Sequence, residues 1–115
     1  MKVAEFRRAA LAMPEAEERQ HHGRPDFRVR NKIFATLDAG EQCGVVKLPA
    51  DEQAAVLASS PDAYSPAAGA WGRSGWTEIH LAAAEATEVT ELITEAWCAV
   101  APKRLVKAFE SGETP

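Results

Sequence analysis

Val3, Phe6, Ala10 and Leu11 recur at helical spacing, with Glu5 and Arg8 off the stripe. That pattern predicts an amphipathic helix over residues 2–12. Met13-Pro14 ends it, because the residue before a proline is pushed out of the α region. Residues 15–25, EAEERQHHGRP, show no apolar periodicity and contain Gly23 and Pro25, so they read as a loop. The period then changes to two. Phe27–Arg30 and Lys32–Leu37 read as strands meeting around Asn31, a residue that tolerates positive φ in a tight turn. Asp38-Ala39-Gly40-Glu41 is a second turn signal, and Cys43–Leu48 a third strand. Strands joined this closely must run antiparallel.

Pro49-Ala50-Asp51-Glu52 opens a short helix, with proline and two acids in its first turn as the helix dipole prefers. Ser59-Ser60-Pro61 closes it. Residues 61–75 are rich in Pro, Gly and Ser, with one short strand expected around Tyr64. WTEIHL, residues 76–81, alternates cleanly as a strand. Val89, Leu92, Ile93, Ala96 and Val100 give a helix over Glu88–Val100, with Thr87 as the expected cap. Pro102 interrupts it, and KRLVKAF continues as a turn or two. The order α-β-β-β-α-β-β-α predicts an α+β, two-layer domain: an antiparallel sheet of about five strands with helices packed on one face. No repeat or linker divides the chain, so residues 1–115 are expected to form a single domain.

Alternation also assigns the two faces of that sheet. Phe27, Val29, Val46, Leu48, Thr77, Ile79 and Leu81 are expected towards the helices. Arg28, Arg30, Cys43, Val45, Lys47, Trp76, Glu78 and His80 are expected on the other side. Cationic groups beside an aromatic ring suit a phosphate backbone and an unstacked base. They equally suit the solvated outer face of a half-buried sheet.

Hydrophobic content of 46% and charged content of 26% are those of an ordinary globular chain. No apolar run approaches the roughly 18 residues of a membrane span, and the amino terminus, MKVAEFRRAA, is charged where a signal peptide is apolar. A soluble, cytoplasmic, monomeric protein without membrane partners is the expectation. The net charge is −4, which disfavours non-specific coating of nucleic acid. The distribution is uneven, however. Residues 19–32 hold Arg19, Arg24, Arg28, Arg30 and Lys32 against Asp26 alone, whereas residues 79–102 hold Glu85, Glu88, Glu91 and Glu95 and no Lys or Arg. A local basic face on an acidic chain is therefore expected.

Little catalytic chemistry is legible. Cys43 and Cys98 lack a CxxC spacing and read as packed, reduced thiols. His21, His22, Asp26 and His80 are the only metal-like set, and they lack any His-x3-His or Cys/His ligand spacing. A hydrolase or metal protein built on His22 and His80 is the least favoured reading. There is no G-x-S-x-G, and Gly69, Gly72 and Gly75 around Trp71 and Arg73 form neither a dinucleotide fingerprint nor a P-loop. No catalytic residue, metal or cofactor is assigned, and the expectation is a non-enzymatic protein.

Three stretches carry a resemblance. Ala10-Leu11-Ala12-Met13-Pro14-Glu15-Ala16-Glu17-Glu18 combines a first helix, a proline stop and an acidic turn. Pro25-Asp26-Phe27-Arg28-Val29-Arg30-Asn31-Lys32-Ile33-Phe34-Ala35 is similar to an FRV-x-x-KIFA hairpin. Gly75-Trp76-Thr77 lies within a Gly/Trp strand entry running from Trp71 to Leu81, before a closing helix that ends at Pro102-Lys103-Arg104-Leu105. Together they resemble the MmcQ/YjbR family of small bacterial proteins across nearly the whole chain. The resemblance implies a compact two-layer domain without enzymatic activity, and a suggested DNA-binding mode in which protruding hairpins act as paired wings. By position the wings are the loops at Asn31–Lys32 and Ala70–Gly75, with Arg28, Arg30, Lys32 and Arg73 on phosphates. Lys47 extends that basic edge, and Trp71 or Trp76 offers stacking or groove contact. DNA bound weakly and in a salt-dependent way is thus the first expected partner. The alternative is a protein or small-molecule ligand held in a pocket framed by Trp71 and Trp76.

Overall fold

The computed structural model describes residues 1–40 and 42–112. Among them, six strands form one antiparallel sheet in the order β1-β2-β3-β4-β6-β5. Helix α1 (Val3–Leu11) precedes β1 (Ala16–His21), β2 (Arg24–Val29), β3 (Lys32–Leu37) and β4 (Cys43–Lys47). Then follow α2 (Ala50–Ser59), β5 (Tyr64–Pro66), the single turn α3 (Ala70–Arg73), β6 (Trp76–His80), α4 (Ala86–Val100) and α5 (Lys103–Glu110). The class is α+β, as the element order predicts.

Several details differ from the sequence reading. The sheet has six strands rather than about five, and the order becomes α-β-β-β-β-α-β-α-β-α-α. The added strand is β1, within the segment read as a loop. Its residues alternate with nothing because neither face is covered: Glu17, Glu18, Arg19 and Gln20 are all exposed. What makes it a strand is pairing with β2 through a two-residue turn at His22-Gly23, where both φ values are positive (49° and 77°), the backbone such a hairpin demands. The loop-rich stretch before β6 contains the helical turn α3 as well as the short strand at Tyr64. Helix α4 is capped by Glu85, whose side chain accepts the Glu88 N–H at 2.8 Å, so Thr87 already lies inside the helix. In the turn before β4, Asp38 Oδ1 accepts the N–H groups of Gln42 and Cys43 at 2.7 and 3.1 Å; Glu41, assigned to that turn from sequence, lies outside the described residues.

The second hairpin turns on Arg30-Asn31, again with both φ values positive (50° and 67°). A bulge follows: the register between β2 and β3 shifts between Phe27 and Arg28. The extra residue on β3 lets Phe34 and Ala35 both be buried, where strict alternation would expose one.

Helices α1 and α4 cover one face of the sheet and meet in a core of Phe6, Phe27, Phe34, Leu37, Ile79, Ile93 and Trp97. Trp97 keeps its one polar atom satisfied by donating Nε1–H to the Pro14 carbonyl at 3.1 Å. Gly44 lets α1 approach the sheet, since a Cβ there would run into the Phe6 ring.

Candidate functional site

The face of the sheet away from the helices is positioned by cross-strand register. Lys47 on β4 stands opposite Trp76 on β6, and directly opposed side chains on one face are within reach of each other. Trp76 is half-buried, and Trp71 on α3 meets it edge-to-face, with ring centroids 6.2 Å apart and planes at 70°. Trp71 is 67% exposed, so one side of its indole is bare. Arg73 ends α3. Lys32 begins β3 at the same end of the sheet, but it pairs with Val29, which is buried towards the helices, so the register starts its side chain from the opposite face. Lys32, Lys47 and Arg73 are exposed and form no ion pair among the described residues.

The corner is held from beneath. Gln53 of α2 donates Nε2–H groups to the Gly72 carbonyl (3.0 Å) and to the buried Thr77 Oγ1 (3.1 Å), tying α3 to β6. Gly75, at φ 110°, sits where a Cβ would strike the Leu48 carbonyl, and its own carbonyl accepts the Leu48 N–H at 2.9 Å. That bond sets where Trp76 enters the sheet.

Arg28 and Arg30 are placed differently. Arg28 makes a fork on Asp26, with Nε and Nη2 donating at 2.7 and 3.0 Å, and Nη1 donates to Asn31 Oδ1 at 3.1 Å. Asp26 is fully buried and also accepts from His21 Nδ1 at 2.7 Å. Burial alone would raise the Asp26 carboxyl, but the bonds from Arg28 and His21 outweigh it and hold the carboxyl below the usual carboxylate range. Because an ionised carboxylate only accepts, the His21 proton sits on Nδ1. Arg30 forks on Glu15 at 2.6 and 3.2 Å, which lowers the Glu15 carboxyl. Both arginines are therefore already engaged with carboxylates of the same chain.

The histidines are not brought together. His21 belongs to the Asp26 cluster, and His22 lies in the outer hairpin turn. His80 lies on β6, three strands beyond β2, or about 14 Å at the usual strand spacing. Among the described residues no group of three or more His, Cys, Asp or Glu side chains is arranged to hold a metal ion. His80 instead stands between Cys43 Sγ (3.5 Å from Nδ1) and Ser65 Oγ (3.3 Å from Nε2). Burial, with help from Asp38 and Glu78, pushes the Cys43 thiol up, the opposite of what a thiolate nucleophile needs. Outward alternation of Cys43 and His80 was legible in sequence; that β4 and β6 are neighbours was not.

A family model described as YjbR matches residues 11–99. The chain belongs to the YjbR family. Its fold also recurs in a solved structure, the crystal structure of Deinococcus radiodurans protein DR2400, described as carrying the family-model domain DUF419. The superposition has a TM-score of 0.77 at 17% identity, over 98% of this YjbR chain and 89% of the other. No curated protein matches the chain. Among the described residues no helix is long and apolar enough to cross a membrane.

Two shallow concavities on the YjbR domain lie along β1, one lined by Glu18, Arg19, Gln20 and Pro25, the other by Glu15, Ala16, Glu17, Arg19, Arg30 and Asn31. Neither includes Trp71 or Trp76.

Proposed function

We propose that this YjbR domain is a non-enzymatic module that binds nucleic acid, favouring unpaired bases, at the corner formed by Lys47, Arg73, Trp71 and Trp76, with Lys32 reaching round the end of β3. The observation that carries the reading is the bare indole of Trp71 seated on Trp76 beside cations that have no carboxylate partner among the described residues. An unstacked base gains about 1–3 kcal/mol from an aromatic platform of this kind, and the flanking cations are free to take phosphates. Arg28 and Arg30 contribute less in this reading, because a phosphate would have to displace Asp26 or Glu15 from each fork. With three phosphate contacts, affinity for a single strand falls with salt at a log–log slope of about −2.

The test is fluorescence anisotropy of a labelled single strand and a labelled duplex at low and then physiological salt. Single-strand binding that Trp71→Ala weakens about 10-fold, and that Lys47→Ala makes less salt-dependent, is the expected result. Absence of binding to either probe at low salt would defeat the proposal. The pocket-like alternative, a ligand between the two tryptophans, would instead appear as binding that salt does not weaken.

A further inference from the structure

The two edges of the sheet are not alike. The β5 edge is three residues long and ends in Pro66, both features that keep an edge from recruiting another strand. The β1 edge is six residues long, contains no proline, and pairs with β2 in unbroken register from Ala16–Val29 to His21–Arg24. It has the length and regularity to accept a further strand, and its charges are of both signs.

The hairpin turns settle which backbone groups face outward. The two-residue turn at His22-Gly23 closes on a hydrogen-bonded pair, His21 with Arg24. Alternation along the ladder then directs the peptide groups of Glu17, Arg19 and His21 to β2, and those of Ala16, Glu18 and Gln20 away from it. The turn at Arg30-Asn31 agrees, because it directs Val29 to β3 and leaves Val29–Ala16 as a non-bonded pair. The Ala16 N–H, facing outward, is taken by the Met13 carbonyl at 3.1 Å. Among the described residues the Ala16 carbonyl and both peptide groups of Glu18 and Gln20 have no strand beside them.

From this arrangement the geometry points to β1 as a dimerisation edge, pairing antiparallel with β1 of a second copy of this chain about a dyad at Glu18. In that register Glu18 exchanges both backbone bonds with its copy, and each Gln20 N–H meets the Ala16 carbonyl of the second copy. Glu17 stands opposite Arg19 of the second copy, and Arg19 opposite Glu17. Moving the dyad to residue 17 or 19 would place Glu17 or Arg19 opposite itself and forgo both Glu17–Arg19 pairs, whereas the dyad at Glu18 gains those two pairs against one like pair, Glu18 with Glu18, so charge favours this register. The in-chain Arg19–Glu17 contact is exposed and 3.3 Å long, and it yields readily to the cross-copy pairs. On the helix side the two Glu18 carboxylates approach one another, but each is already gripped by Arg7, with Nε 3.0 and 3.2 Å from its two oxygens. The dyad is perpendicular to the sheet, so the two copies present their open faces on one side. This departs from the monomer expected from sequence, where residues 15–25 read as a loop and offered no edge.

Sedimentation velocity on the full chain, from micromolar to about 1 mM, tests the assignment with paired charge variants. Wild type is expected to dimerise as concentration rises. Arg19→Glu alone and Glu17→Arg alone should each weaken self-association by about 30-fold or more, because like charges then oppose each other twice. Mixed one to one, these two chains should pair with each other, since one edge is then wholly acidic and the other basic. The double variant, Glu17→Arg with Arg19→Glu, should dimerise like wild type, and its circular dichroism reports that the fold is kept. A wild type that stays monomeric at 1 mM overturns the assignment. So do single variants that dimerise undiminished, single variants that fail to pair when mixed, or a folded double variant that stays monomeric.

Discussion

Asp26 is a carboxylate with no solvent exposure, on the side of the sheet that should be wet. Arg28 and His21 make that burial tolerable by supplying three donors. Because the folded carboxyl lies below its unfolded value, its stabilisation is complete above about pH 4 and is lost as pH falls through the folded pKa. Urea denaturation at pH 7 and pH 3 should show wild type losing stability on acidification, and Asp26→Asn losing much less. At pH 7 the same variant should be less stable by about 1.5–3 kcal/mol, the usual worth of bonds to a charged partner. The sequence displayed Arg28 as an outward residue and His21 as part of a loop but could not bring His21 to Asp26, because that contact crosses a hairpin whose first strand carries no apolar signal. Arg28 looked free in sequence although Asp26 lies two residues before it on the same strand face; that the carboxylate is buried there and forked by the arginine emerges only in the fold.

Strands and helices whose faces meet different environments were readable; those with uniform surroundings were not. β4 and β6 each bury one side and alternate accordingly, as does Phe27–Val29 of β2, whereas β1 is exposed on both and looks like loop. The start of α4 is a finer case. Thr87 is a good capping residue, but Glu85 reaches the free N–H of Glu88 first. Thermal melts should therefore show Glu85→Ala losing about 1 kcal/mol and Thr87→Ala much less. Close approach between α1 and β4 depends on an absent side chain. Gly44→Ala should cost about 1–3 kcal/mol by forcing the Phe6 ring aside, read as a lower urea midpoint with unchanged slope.

The cationic aromatic corner draws on α2, α3, β3, β4 and β6, so its integrity is a property of how these pack together. Gln53 is not itself one of the proposed contacts, yet it ties the Gly72 carbonyl to Thr77 beneath the tryptophans and reaches the Trp76 carbonyl at 3.4 Å. Gln53→Ala should lower single-strand affinity several-fold in the anisotropy titration while leaving the salt slope unchanged, because it displaces Trp71 and removes no charge. Sequence periodicity alone was sufficient for the α+β class, the antiparallel pairing of the β2–β4 run and the inward side of each half-buried strand. Those features follow from burial of one face, which writes itself into the spacing of apolar residues. Tertiary structure alone decided that β1 is a strand, that β4 and β6 are neighbours, that Arg28 and Arg30 are bound by carboxylates while, among the described residues, Lys32, Lys47 and Arg73 are not, and that the β1 edge carries no further strand of the described residues. Each of these depends on a side-chain pairing, a strand neighbour or an exposed surface, none of which leaves a period in the chain.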